Sequence, residues 1–275
     1  MKRSALCFAM LMFGAANASA AVVVSPGDLH GWSFFTTNSS GTIAATTGSS
    51  GLVNGPSTPP LGTGSANLYT GPSGGGATSA QMRNSDWSGT ALSALTTLSY
   101  STYATAWNGA QDSFLQLYID TNNDGAYDDR LYFEPTYSRA AAGNGNPNPQ
   151  ADPALNTWQT WNLLTGMWYS DSVSGPGSNA KPFSYFLSQY PSAKIVNDVN
   201  NQGGLGGIRI TAGLASASNS FNVSIDAFSI GTSAGTTTYD FEAVAPVPEP
   251  GSLIVWSLLG LTIGGAAKWK RKRSA

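Results

Sequence analysis

Oxygen side chains recur along Asp120-Thr-Asn122-Asn-Asp124-Gly125-Ala-Tyr-Asp128-Asp129 at loop positions 1, 3, 5 and 9, with glycine at position 6. Alternate residues turned inward around a sharp glycine turn can wrap a hard cation, which makes Asp120, Asn122, Asp124 and Asp128 candidate calcium ligands. Position 12 departs from that pattern, because Leu131 stands where a bidentate acid belongs. The flanking segments read as strands, and Asn123-Asp124-Gly125 is strong turn chemistry for a β-hairpin. Two readings stay open. One is a hairpin alone; the other is a hairpin that binds calcium weakly, the cation relieving repulsion among four carboxylates.

Aromatic rings are the second group capable of recognition. Trp158, Trp161 and Trp168 are candidate glycan platforms, since rings stack on sugars, but a large β-sandwich also needs bulky core side chains. If residues 158–163 form a strand, Trp158 and Trp161 fall on opposite faces and at most one enters the core. Catalysis has fewer footholds. His30 is the sole histidine, in a turn-like Gly27-Asp-Leu-His30-Gly31 context, so a Ser/His/Asp triad has only that base. A glycosidase needs two carboxylates about 5 to 9.5 Å apart, and spacing singles out no pair. Gly203-Gly204-Leu-Gly206-Gly207 precedes a strand, whereas phosphate cradles open helices. The expectation is a non-enzymatic protein with no catalytic residue.

These groups belong to a chain of 275 residues that is 10% charged and 41% hydrophobic, with 32 Gly and 15 Pro. Such a composition excludes a coiled coil and wholesale disorder. Seven of the thirteen Lys and Arg lie at the two ends, leaving residues 21–247 with six basic and fourteen acidic side chains, a balance of −8. A body of that sign repels phosphate backbones, so nucleic acid is not an expected partner. Met1 to Ala20 combines Lys2 and Arg3, an apolar stretch from Ala5 to Gly14, and the small residues Ala18-Ser19-Ala20. These are the three parts of a signal peptide, with signal peptidase expected to cut after Ala20. Cutting there removes Cys7, the only cysteine, so the exported chain has neither disulfide nor thiolate.

At the other end, Leu253 to Trp269 is an apolar run long enough for a short single transmembrane helix, followed by Lys268, Lys270, Arg271, Lys272 and Arg273. The positive-inside rule keeps that basic cluster cytoplasmic and places the body across the membrane. One reading is a plain tail anchor. The other starts from Pro248-Glu249-Pro250, directly before the helix: two prolines hold the backbone extended and remove amide donors, which suits a peptide laid into a protease cleft. Pro-Glu-Pro, short apolar helix and terminal basic cluster together resemble the PEP-CTERM sorting signal, here residues 246–275. The resemblance implies recognition by an exosortase, a membrane-embedded cysteine protease or transpeptidase of Gram-negative bacteria that make extracellular polysaccharide. It also implies transient inner-membrane association, and the cell surface or extracellular matrix as destination.

Between these segments, residues 21–245 are rich in Gly, Ser, Thr and Asn, with short β-prone runs broken by turn residues. Ten strands are expected, at residues 22–25, 32–36, 66–70, 91–100, 113–120, 130–135, 157–163, 207–211, 221–230 and 236–241. So many short strands imply a sandwich or barrel. Both alternating faces of the strand at 113–120 are apolar or aromatic, which suits a central strand covered on both sides. Phe183, Phe186, Leu187 and Tyr190 follow helical spacing and predict one short helix. Gly55 to Gly64, Leu98 to Tyr103, Trp158 to Trp161 with Met167-Trp168, and Ala227 to Glu242 resemble a recurrent secreted bacterial domain. That resemblance implies an all-β, jelly-roll-like sandwich of no established activity. The functional expectation is a surface or matrix component, with a carbohydrate-binding module, calcium-assisted or not, as the alternative and a glycoside hydrolase third.

Overall fold

The computed structural model describes residues 20–38, 42–43, 48–71, 79–107, 112–197, 204–213 and 220–244. The first strands are β1 (Val22–Val24), β2 (Trp32–Thr37), β3 (Ser49–Asn54), β4 (Gly64–Tyr69) and β5 (Ser79–Asn84). β6 (Leu95–Ala106), β7 (Phe114–Asp120) and β8 (Asp129–Phe133) follow, then the one-turn helix α1 (Pro135–Ser138). β9 (Gln159–Asn162), β10 (Met167–Ser170) and β11 (Lys181–Pro182) precede helix α2 (Phe183–Gln189). β12 (Lys194–Ile195), β13 (Ile208–Gly213), β14 (Asn222–Thr232) and β15 (Gly235–Phe241) complete the chain. All ten expected strands and the expected helix are present. The sequence reading omitted β3, β5, β10, β11, β12 and α1. The strand expected to reach Pro135 ends at Phe133 instead, because Pro135 presets the backbone for the first turn of α1.

The strands form two sheets. In the first, of seven strands, β14 is the spine: β6 pairs along one side, and β4 then β15 share the other. β9, β3 and β1 add outside these, β1 running parallel to β15. The second sheet runs β11-β10-β8-β7-β13-β5-β2, and β12 extends the β13 track along β7. β7 is central and buried along its whole length, as its two apolar faces require.

Alternation fills one core between the sheets. Leu98, Tyr100 and Ala104 of β6 point inward with Val223, Ile225, Phe228 and Ile230 of β14, against Leu115, Leu117, Ile208 and Ile210 of the other sheet. The inward set on β14 shifts register between Ile225 and Phe228, where a bulge puts Ala227 at φ 51°. Trp32 of β2 crosses between sheets, edge-on to Phe228, Tyr239 and Phe241 at 5.1, 5.6 and 5.3 Å. No helix among the described residues is long and apolar enough to cross a membrane. The expected signal peptide (apart from Ala20) and the segment 246–275, with its Pro-Glu-Pro, apolar helix and basic cluster, lie outside the described residues.

Candidate functional site

β7 and β8 pair up to Ile119 and Asp129, so residues 121–128 form the hairpin connection. The loop is tied together by its own carboxylates and amide. Asp120 Oδ1 accepts from the Asn122 and Asn123 amides at 3.2 and 2.6 Å, and Oδ2 from the Gly125 amide at 2.8 Å. Asn122 Oδ1 accepts from the Asp124 amide, Asp124 Oδ1 from the Ala126 amide, and Asp128 Oδ2 from both the amide and hydroxyl of Thr121. Gly125 sits at φ 84°, the left-handed region that glycine enters freely. Burial works to raise the Asp120 carboxyl pKa, but the Gly125, Asn123, Asn122 and Asp124 amides outweigh it and hold it below the usual carboxylate range. The hairpin is therefore complete by hydrogen bonding alone. Among the described residues, no group of three or more acidic, His or Cys side chains is placed to hold a metal. A cleft of about 280 Å³ opens beside the loop, lined by Asp120, Asn123, Gly125, Ser88, Gly89 and Lys194.

The three tryptophans separate cleanly. Trp161 and Trp168 are 1% and 0% exposed, with their indole N–H groups donating to Thr102 Oγ1 and to the Leu163 carbonyl. They fill the core, and no sugar reaches their rings. Trp158 lies just before β9, half-buried, with its ring 5.5 Å from Tyr103 and its N–H on the Pro56 carbonyl. Of the three candidate glycan platforms, only Trp158 reaches the surface.

Two polar clusters escaped the sequence reading. On the outer face of the second sheet, register aligns Arg83, Arg209, Gln116, Tyr132 and Tyr169 in one row. Tyr132 and Tyr169 stack in parallel at 4.6 Å, the Arg130 guanidinium lies 4.8 Å over Tyr132, and Tyr137 meets Tyr169 edge-on. Asp171 bonds the Tyr132 hydroxyl at 2.9 Å and pairs with Arg130 at 3.0 Å, and Glu134 accepts from the Tyr169 hydroxyl. Burial first, then the neighbouring acids, pushes the Tyr132 and Tyr169 hydroxyl pKa values far up. The rings of this column spend their faces on one another and on Arg130, so it is a built-in brace rather than an open platform.

The second cluster is acidic. Asp226 Oδ2 accepts from the Leu61 amide at 2.8 Å, and Glu242 accepts from the amide and hydroxyl of Thr63 at 2.6 and 3.1 Å. Asp240 stands two residues before Glu242 on the same face of β15, a local signal legible in the sequence; Asp226 comes from β14 and carries none. Asp240 and Glu242 both reach Gly62, which is packed so closely against them that an added Cβ would lie 1.6 Å from Glu242 Oε1. A fourth acid lies inside: Thr102 donates to Asp112 Oδ2 at 2.7 Å while accepting from Trp161, and Asp112 Oδ1 accepts from the Ser113 amide. Burial pushes Asp112 up to about 6 against the pull of the Thr102 bond. His30 lies in an exposed turn, 3.3 Å from Asp28. Compared with known proteins, the chain matches no family model, no curated protein and no solved structure.

Proposed function

We propose that the chain is an exported surface or matrix component, non-enzymatic, delivered by exosortase sorting and built on a jelly-roll version of the β-sandwich. The observation that carries this is the order Pro248-Glu249-Pro250, apolar run, basic cluster. The fold supports it at the junction, because β15 ends at Phe241 and Glu242 still donates its amide to Val24. Five residues then separate Glu242 from Pro248, so the tripeptide follows the last strand closely in sequence. The jelly-roll reading rests on connectivity: β4, β5, β6 and β7 alternate between sheets, β5 and β7 flank β13, and β4 and β6 flank β14.

The test is the fate of the tail. In cells that carry the peptidase, mass spectrometry should find the chain shortened near Glu249, and Glu249→Ala should leave it intact in the inner membrane. A wild-type chain that keeps its tail in such cells would refute the sorting reading.

A carbohydrate-binding module is the second reading, favoured by Trp158, which reaches the surface beside Tyr103. Ser101, Thr160, Ser229 and Thr238 form bonded hydroxyl pairs on the outer face of the same sheet, which also carries Asp226 and Asp240. Calcium enters only here, and would have to draw Asp120 and Asp124 away from some of their amides. Trp158→Ala should abolish binding on a glycan array that the parent protein passes.

A further inference from the structure

Three carboxylates converge on the loop between β3 and β4, and they meet it at the root of the C-terminal segment. Asp226 is wholly buried and Glu242 is 8% exposed. A Cβ placed on Gly62 would lie 1.6 Å from Glu242 Oε1 and 3.0 Å from Asp240 Oδ1, so the two acids reach the same point. Gly62 is at φ 50°, pressed against them. Leu61 and Thr63, on either side, give their amides to Asp226 and Glu242.

The charge inventory around this point is one-sided. β1 brings Val22 to Val24, residues 55–64 bring no titratable group, and β6 brings Ser101 opposite Asp226. Asp86 is the next acid, acting on Tyr239 across the opposite face of β15. No ion pair among the described residues reaches Asp226, Asp240 or Glu242. Asp240 Oδ1 is buried and no N–H or O–H group donates to it. A carboxylate oxygen sealed from water with no donor, beside a second carboxylate, is strongly disfavoured as an anion. A proton on one of the two removes the repulsion and supplies the missing bond.

We propose that Asp240 holds a proton donated to Glu242, and that this shared proton latches residues 55–63 onto β15 beside the root of the C-terminal segment. Burial and the Glu242 charge push the Asp240 carboxyl up to about 6, which sets where the latch loosens. Asp226, pushed up to about 6 mainly by burial, adds a third negative charge at the same point once ionised. Above that pH the acids repel, Glu242 loses its neighbour's bond, and the Leu61 and Thr63 anchors weaken together.

Hydrogen exchange on the full-length chain reads the latch directly. After correction for the intrinsic rate, the Leu61 and Thr63 amides should be roughly tenfold or more better protected at pH 5 than at pH 7.5. In Asp240→Asn the amide donates to Glu242 at any pH, so the difference should vanish at Thr63, while Leu61 keeps only the part set by Asp226. Glu242→Gln gives the same check from the other partner if Asp240→Asn does not fold. Equal protection of the parent at both pH values would overturn the proposal, as would a full pH response in Asp240→Asn. Recovery of protection at pH 7.5 on adding calcium, in the parent but not in Asp240→Asn, would also overturn it, because the acids would then be holding a cation instead of a proton.

Discussion

Thr102 holds the most consequential single hydroxyl in the core. It accepts from the Trp161 indole at 2.9 Å and donates to Asp112 at 2.7 Å, so removing it leaves a buried donor and a buried acid unsatisfied. Thr102→Val keeps the shape and deletes the bonds; it should cost about 2 to 4 kcal/mol in urea unfolding, with Thr102→Ser recovering most of it. A loss no larger than in the Ser variant would mean that the network is dispensable. At the acidic loop the opposite holds, because each of the four candidate ligands already has at least one oxygen held by an amide or hydroxyl. Adding about 10 mM calcium, ample for a weak extracellular site, should therefore leave Tm within about 1 °C. A rise of several degrees, absent in Asp120→Asn, would establish the loop as a calcium site.

β14 shows how an element, rather than a residue, organises this fold. It hands one edge from β4 to β15 across a bulge, with Asp226 bonding the Leu61 amide at 2.8 Å and reaching the Phe241 amide at 3.4 Å. Ala227 pays for the bulge with a left-handed backbone, which costs a non-glycine residue about 1 kcal/mol. Ala227→Gly should raise stability by about 0.5 to 1 kcal/mol in equilibrium unfolding; a loss would show that the methyl packing outweighs the strain. The same strand marks the limit of what sequence conveys. Its alternation was legible, as were the burial of β7 and the helical spacing of Phe183 and Phe186. β5 was not, since Ser79, Gln81 and Arg83 give one of its faces no apolar pattern, and only the folded sheet shows them buried. Likewise the turn at Asp120 was legible, whereas Asp226 meeting Asp240 depends on pairing between strands, which no local pattern encodes.

Over the whole molecule, proton uptake on folding sets how stability varies with pH. Asp112, Asp226 and Asp240 are each pushed up from 3.8 to about 6, chiefly by burial. Between those values the folded state binds protons that the unfolded chain has already released. Their contribution is therefore complete below about 3.8 and is lost as pH rises through about 6. Asp120 works in the other direction. Its carboxyl is held down by loop amides, so its contribution is present above the unfolded value and is lost as pH falls through the lower folded one. A third limit lies in alkali, where Tyr127 is pushed up to about 12 by burial, so its contribution fades as pH rises from 10 through that value. Together these place the maximum of Tm near pH 4 to 5, with a decline toward pH 7 that most proteins do not show. Asp112→Asn should flatten part of that decline without touching residues 55–63, whereas Asp240→Asn should flatten part of it and also abolish the exchange response of Thr63. A Tm that climbs steadily from pH 5 to pH 7 would mean that these three acids are ionised in the folded protein, and that cations or water reach carboxylates which the packing otherwise seals.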